Sequence, residues 1–203
     1  MNYILIIIYM QLNVYLISHP IIQKLSNTII NSKPENNQIY NYNTSSLGFL
    51  LIYEVIRKWI KTQNIYIKNI ELTKELYVFN SKESYLIIAN LMDCNQIISG
   101  ISLLLPQVHL QHINLNTYKK KYINNDCIDS NIINIIKKQK IIIIERFLSN
   151  YSIIKLLDYL LLKQHIKISQ IKIMCITCTN SICEQLGNKY QSLEIYTTKI
   201  YNY

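Results

Sequence analysis

Glu145 ends a run of four isoleucines, Ile141 to Ile144, and a polar turn, Ser149-Asn150-Tyr151-Ser152, follows soon after. From Ile153 the apolar residues recur at helical spacing. This reads as a buried parallel strand, a tight turn and the start of a helix. Such a junction suits a phosphorylated ligand, because free backbone N–H groups and the helix dipole face the anion. Ser149, Asn150 and Ser152 are each suited to capping the helix. The same pattern also fits an ordinary strand-to-helix connection with no ligand.

Three other groups carry chemistry-bearing side chains. Cys175 and Cys178 form a lone CxxC at the end of an expected strand, with no second CxxC to complete a zinc site. His109 and His112 are spaced for a ligand pair on a helix, but their surroundings read as a strand, where positions i and i+3 face opposite sides. No metal centre is expected. Lys119-Lys-Lys121 lies between Tyr118 and Tyr122. Basic residues beside aromatics can hold a nucleic acid strand. Three lysines make few phosphate contacts, so a solvated loop is the preferred reading.

The chain that positions these groups has 203 residues, half of them hydrophobic, enough for one domain with a full core. Gly and Pro number three each and Ala89 is the only alanine, while Ile, Asn, Lys and Tyr abound. The favoured residues have codons built from A and T, which points to an AT-rich genome such as that of a plastid or another reduced genome, and so to the plastid stroma or otherwise the cytoplasm. The net charge of +9 would suggest nucleic acid, but codon pressure also produces scattered lysines. A basic nucleic-acid-binding protein is therefore kept only as the alternative. The five cysteines have no framework spacing and read as free thiols. Residues 1–17 are apolar but short for a membrane span and interrupted by Gln11 and Asn13. They lack a basic leader and a cleavage site, so no membrane association is expected.

The expected elements are a strand at 12–17, a short helix at 21–25 opened by Pro20, and a polar loop at 31–43. A helix over 47–61 would follow, capped within Thr44-Ser-Ser46. Residues 65–70 and 76–79 pair as an antiparallel hairpin arm, spanning about 63–80. A β-α-β alternation begins at 85–89. A helix at 95–105 stops at Pro106, and a strand runs from 108 to 115. A polar loop covers 116–129 and an uncertain helical turn 131–138. The central strand at 141–144 and its helix at 153–163 come next. A strand at 171–176, a helix at 181–186 with Gly187 as its C-cap, and a last strand at 193–196 complete the chain. Such alternation implies an α/β fold, a mostly parallel sheet with helices on both faces. The whole chain reads as one domain, with residues 1–9 as an extra N-terminal segment.

The order of these landmarks resembles the uracil phosphoribosyltransferase family. His19-Pro20-Ile-Ile-Gln-Lys-Leu25 resembles its HPLIxHKL start, and Leu51-Ile-Tyr-Glu-Val-Ile-Arg57 its LLxYEATR helix. Residues 142–154 sit where the family has its VDPMLATGGS loop for phosphoribosyl pyrophosphate. Lys172-Ile-Met-Cys-Ile176 and Leu193-Glu-Ile-Tyr-Thr197 look like its KVLxL and VELYTAxID strands. The resemblance implies the three-layer phosphoribosyltransferase fold. It implies transfer of a phosphoribosyl group to uracil, giving UMP and pyrophosphate in pyrimidine salvage, with Mg²⁺ as cofactor and a homodimer as the assembly.

The family's chemistry needs a glycine-bearing loop around the 5′-phosphate, arginines and Mg²⁺ on the pyrophosphate, and a C-terminal segment that reads uracil. Here the resemblance assigns the acidic position to Glu145 and the loop to Ser149, Asn150, Tyr151, Ser152 and Ile153, with both glycines replaced. Tyr151 would be strained if that turn required positive φ. The PILRAG arginine becomes Met92, followed by Asp93, so an apolar group and an anion replace a cation. A second family arginine falls near Thr117, and the PGLGDAGDR uracil segment is expected beyond Tyr203 and missing. These departures imply impaired or lost catalysis on a retained fold.

Overall fold

A computed structural model describes residues 12–32, 38–68, 72–105, 107–113 and 139–202. Residues 1–9, the loop at 116–129 with Lys119 to Lys121 and Thr117, the turn at 131–138 and Pro106 lie outside them.

The strands buried on both faces set the architecture. In β4 (Tyr85–Ala89) every residue is buried. In β6 (Lys140–Leu148) residues 141–144 are buried, and in β7 (Ile171–Thr179) residues 171–178 are. A strand apolar on both faces needs a covering layer on each side, which parallel strands with crossover helices supply. The sheet order is β1-β8-β7-β6-β4-β5, with β1 at Asn13–Leu16, β5 at Val108–His112 and β8 at Glu194–Thr197. Every pairing in it is parallel, including β9 (Lys199–Tyr201) along the end of β7. One face packs Ile141, Ile143 and Ile173 on α5 (Ser152–Asp158), its π-helical continuation at Tyr159–Lys163, and α6 (Asn180–Lys189). The other packs Ile142, Ile144, Met174 and Ile176 on α1 (Pro20–Asn31), α2 (Gln38–Ile56) and α3 (Leu91–Ile98). This is the three-layer α/β arrangement. A short α4 (Ile101–Leu104) follows α3. The antiparallel pair β2 (Thr62–Lys68) and β3 (Thr73–Phe79) forms a separate, largely exposed two-stranded sheet, the expected arm.

Several boundaries differ from the sequence reading. α1 runs on to Asn31, and α2 begins at Gln38, inside the stretch read as a polar loop. Thr44 is therefore interior, not a cap. Its hydroxyl donates to the Tyr40 carbonyl at 2.8 Å, which satisfies it within the helix. The buried stripe Tyr40, Thr44, Leu47, Leu51, Val55 carries the helix through polar sequence. It stops at Ile56, short of residue 61, because the chain turns into β2. α3 begins four residues early, capped by Asn90. Gly187 is not a C-cap: α6 continues through it to Lys189. The position is crowded instead, with Leu12 Cβ 3.3 Å from where a Cβ would sit.

A buried lysine, Lys172, and a partly buried one, Lys140, flank Trp59 at the N-terminal edge of the sheet. Lys172, 2% exposed, bonds Glu194 (3.0 Å), the Val55 carbonyl (3.0 Å) and Tyr196 Oη (3.1 Å), with its Nζ 4.5 Å from the Trp59 ring centre. Lys140 bonds Glu83 (2.6 Å) and the Trp59 carbonyl (2.5 Å). Each cation has an anion and a carbonyl, as a buried charge requires.

α2 and α3 touch at Gly48, where a Cβ would lie 2.7 Å from Ile97 Cα, a backbone atom that cannot yield. Gly48→Ala is expected to cost about 1–3 kcal/mol or more by overpacking. Gly100→Ala, which would meet only the Phe49 side chain at 3.2 Å, should cost much less. Thermal melts of the two variants compare them, and equal losses would contradict the packing account.

Candidate functional site

Parallel strands leave their C-terminal ends on one edge, and there β4 and β6 open into a cavity of about 290 Å³. It is lined by Asn90, Asp93, Glu145, Arg146, Phe147, Ser149 and Asn150. Asn90 follows β4 and caps α3. Its Oδ1 accepts from the Met92 N–H at 3.2 Å, and its Nδ2 donates to Asp93 Oδ2 at 2.5 Å. That bond fixes the Asp93 carboxylate at the cavity.

Glu145 is the first residue of β6 beyond the isoleucine core. Burial, and then the charge of Asp93, push its carboxyl up to about 7. The Cys94 thiol beneath is pushed up to about 12 by burial and by Glu145. Arg146 adds the opposite sign. One Nη donates to the Tyr40 hydroxyl, and the guanidinium lies 5.5 Å from the Tyr40 ring centre and 5.0 Å from that of Phe147. Its Nε–H is buried without an acceptor among the described residues, and burial lowers its pKa.

The turn after β6 is closed on itself. Asn150 Oδ1 accepts from the Ser152 N–H at 3.1 Å and from the Ser152 hydroxyl at 2.9 Å. The Ile154 N–H goes to the Tyr151 carbonyl at 3.1 Å. The carboxamide oxygen of Asn150 thus occupies the amide that an anion would take. The strain expected at Tyr151 does not arise: its φ is −64°. Tyr151 itself holds the N-cap position and makes no side-chain cap bond, in place of Ser149, Asn150 or Ser152.

Of the residues singled out from sequence, Asp93, Glu145, Ser149 and Asn150 meet at the cavity. Met92 does not: it is 81% exposed. Tyr151 is half-exposed, Ser152 is buried and turned to Asn150, and Ile153 is in the core. Sequence reasoning missed Asn90 and Arg146. The signal for Arg146 was present, since two adjacent ionic residues end an otherwise apolar run. The cysteine and histidine candidates sit in packing and hydrogen-bond contacts. Cys175 and Cys178 are buried in β7, and Cys178 Sγ lies 3.5 Å from Cys183 Sγ. His112 Nδ1 accepts from the Leu91 N–H at 3.1 Å, and His109 Nδ1 pairs with Gln139 Nε2 at 2.9 Å. Among the described residues no group of three or more His, Cys, Asp or Glu is placed to hold a metal, and no helix is long and apolar enough to cross a membrane.

Comparison with known proteins covers almost the whole chain. The family model for uracil phosphoribosyltransferase matches residues 16–202. A uracil phosphoribosyltransferase homolog of Pyropia yezoensis is 31% identical over 198 residues, covering 94% of this chain and 89% of that protein. One of Porphyra purpurea is 29% identical over 191 residues, with the same coverage. The solved structure of the AQ2163 protein from Aquifex aeolicus superposes with a TM-score of 0.69 at 17% identity, over 93% of this chain and 88% of that one, a likeness of fold.

The raised Glu145 carboxyl predicts a pH dependence. A group whose ordinary value is 4.5 and whose folded value is about 7 binds more protons folded than unfolded between those limits. Stability therefore falls as pH rises through that window and is level above it. Glu145→Gln should flatten the slope and add about 1–3 kcal/mol above the window. Urea unfolding on both sides of the window reads this, and an unchanged slope would mean that Glu145 titrates as a free carboxyl.

Proposed function

Because the chain belongs to the uracil phosphoribosyltransferase family, we propose that its cavity still receives phosphoribosyl pyrophosphate while transfer to uracil is lost or strongly impaired. The observation that carries this reading is the pairing of Asp93 with Glu145. Where the family resemblance calls for a pyrophosphate-binding cation, this chain turns Met92 out to solvent and sets a carboxylate beside a second carboxylate. Transition-state charge on a leaving pyrophosphate is stabilised by preorganised cations and N–H donors. Here one such amide, that of Ser152, is already taken by Asn150.

The acidic pair fits the family's Mg²⁺. Asp93 and Glu145 are hard oxygen donors; burial first, and the charge of Asp93 second, raise Glu145, and a divalent ion would relieve that repulsion. Mg²⁺ would offset pyrophosphate charge there. Among the chain's own groups, Asn90 orients Asp93, and Glu145, freed of its proton, can accept from ribose hydroxyls. The exposed β2–β3 arm, which presents Ile65, Ile67, Leu76 and Phe79, is the surface through which a homodimer would form. The plastid stroma remains the proposed location, on composition. The alternative, nucleic-acid binding, has behind it the net charge of +9 and the run Lys119 to Lys121 between two tyrosines.

Turnover of radiolabelled uracil by the purified chain with phosphoribosyl pyrophosphate and Mg²⁺ tests the reading. Loss of two charge-assisted contacts at about 1.5–3 kcal/mol each lowers the rate roughly 10²–10⁴-fold. UMP formation at that level or below, against an active family member, is expected. A comparable rate would overturn the impairment.

A further inference from the structure

The buried and partly buried cations among the described residues are treated unequally. Lys140 has Glu83, and Lys172 has Glu194 together with two further oxygens. Arg146 has no carboxylate within ion-pair distance among the described residues, although Asp93 and Glu145 line the same cavity. It is also the only cation among the cavity's described lining residues. A partly buried guanidinium that finds neither a counter-anion nor an acceptor for its Nε–H among the described residues is uncompensated there. Natural chains keep such a group where an incoming ligand completes it.

Its setting is suited to that. The hydrogen bond to Tyr40 and the rings of Tyr40 and Phe147 hold the guanidinium in one place. A planar fork fixed in this way matches phosphate oxygens geometrically, which a lysine cannot do. We infer that Arg146 is the residue that binds a phosphate group of the donor in this cavity, a cation on the end of β6 standing in for the one absent at Met92. The inference rests on the donor-pocket reading and extends it to a specific residue. The family resemblance does not supply it, because the matching position of the VDPMLATGGS motif is a proline.

Three changes of charge then belong together. Position 92 loses the cation of the motif, position 93 gains an anion and position 146 gains a cation, so the cavity keeps a positive group while its place changes. The aromatic contacts alone would make Arg146 a packing residue, and the two roles predict different outcomes.

Calorimetric titration of the full chain with phosphoribosyl pyrophosphate and Mg²⁺ separates them, alongside thermal melts of Arg146→Met, Arg146→Lys and Tyr40→Phe. Wild type should bind. Arg146→Met should weaken binding by about tenfold or more, as loss of one charge-assisted contact does, with a melting temperature equal to or above wild type. Arg146→Lys should restore part of the affinity and Tyr40→Phe should lose a smaller part. If wild type binds and Arg146→Met binds equally well, the inference fails and the donor-pocket reading stands. If wild type does not bind, both fail. A lowered melting temperature with unchanged affinity would assign Arg146 to packing.

Discussion

One constraint organises the molecule: β6 is apolar on both faces for four residues and then ionic. Ile141 to Ile144 are fully buried between two helical layers, so neighbouring strands must pair with it in parallel and helices must cover it. Once the sheet is parallel, its C-terminal ends lie on one edge. Glu145 and Arg146 are the first residues free to be ionic, and they emerge on that edge. The strand that builds the core therefore also delivers the cavity's charged groups, and the position of the site follows from the length of the isoleucine run.

The two edges of the sheet differ electrostatically for a physical reason. At the N-terminal edge, Lys140 and Lys172 flank Trp59, and both are matched by carboxylates and carbonyls. That edge is closed and serves stability. At the C-terminal edge, Asp93 and Glu145 repel, and Arg146 is incompletely paired. Folding does not favour such an arrangement on its own account. Uncompensated charge gathered at the strand ends of an α/β sheet supports the proposal that this edge receives a ligand.

Much of this was legible from sequence where the physics is local or periodic. The runs at 85–89, 141–144 and 171–176 could only be buried strands, and their alternation with helical segments gave the parallel sheet. The HP, YE and VELYT-like landmarks indicated the family. Where tertiary packing overrode composition, the reading went astray. Residues 38–46 look polar, yet Tyr40 and Thr44 continue the buried stripe of α2. Gly187 looked like a helix stop, but its lack of a side chain accommodates Leu12. At the site, sequence located the turn and the acid. It did not reveal that Asn150 would occupy the turn's own amide, or that Arg146 would lack a counter-anion among the described residues, because both depend on three-dimensional approach.

On the proposed reading, the scaffold holds its donor and does not use it. Phosphorus NMR of phosphoribosyl pyrophosphate and Mg²⁺ mixed with the protein, before and after adding uracil, reads both halves in one sample. The expected result is broadened donor phosphate resonances on mixing, and uracil-dependent growth of pyrophosphate and nucleoside monophosphate signals at least about 100-fold slower than with an active family member, or none. Unbroadened donor lines, or pyrophosphate release at an active family member's rate once uracil is present, would contradict it.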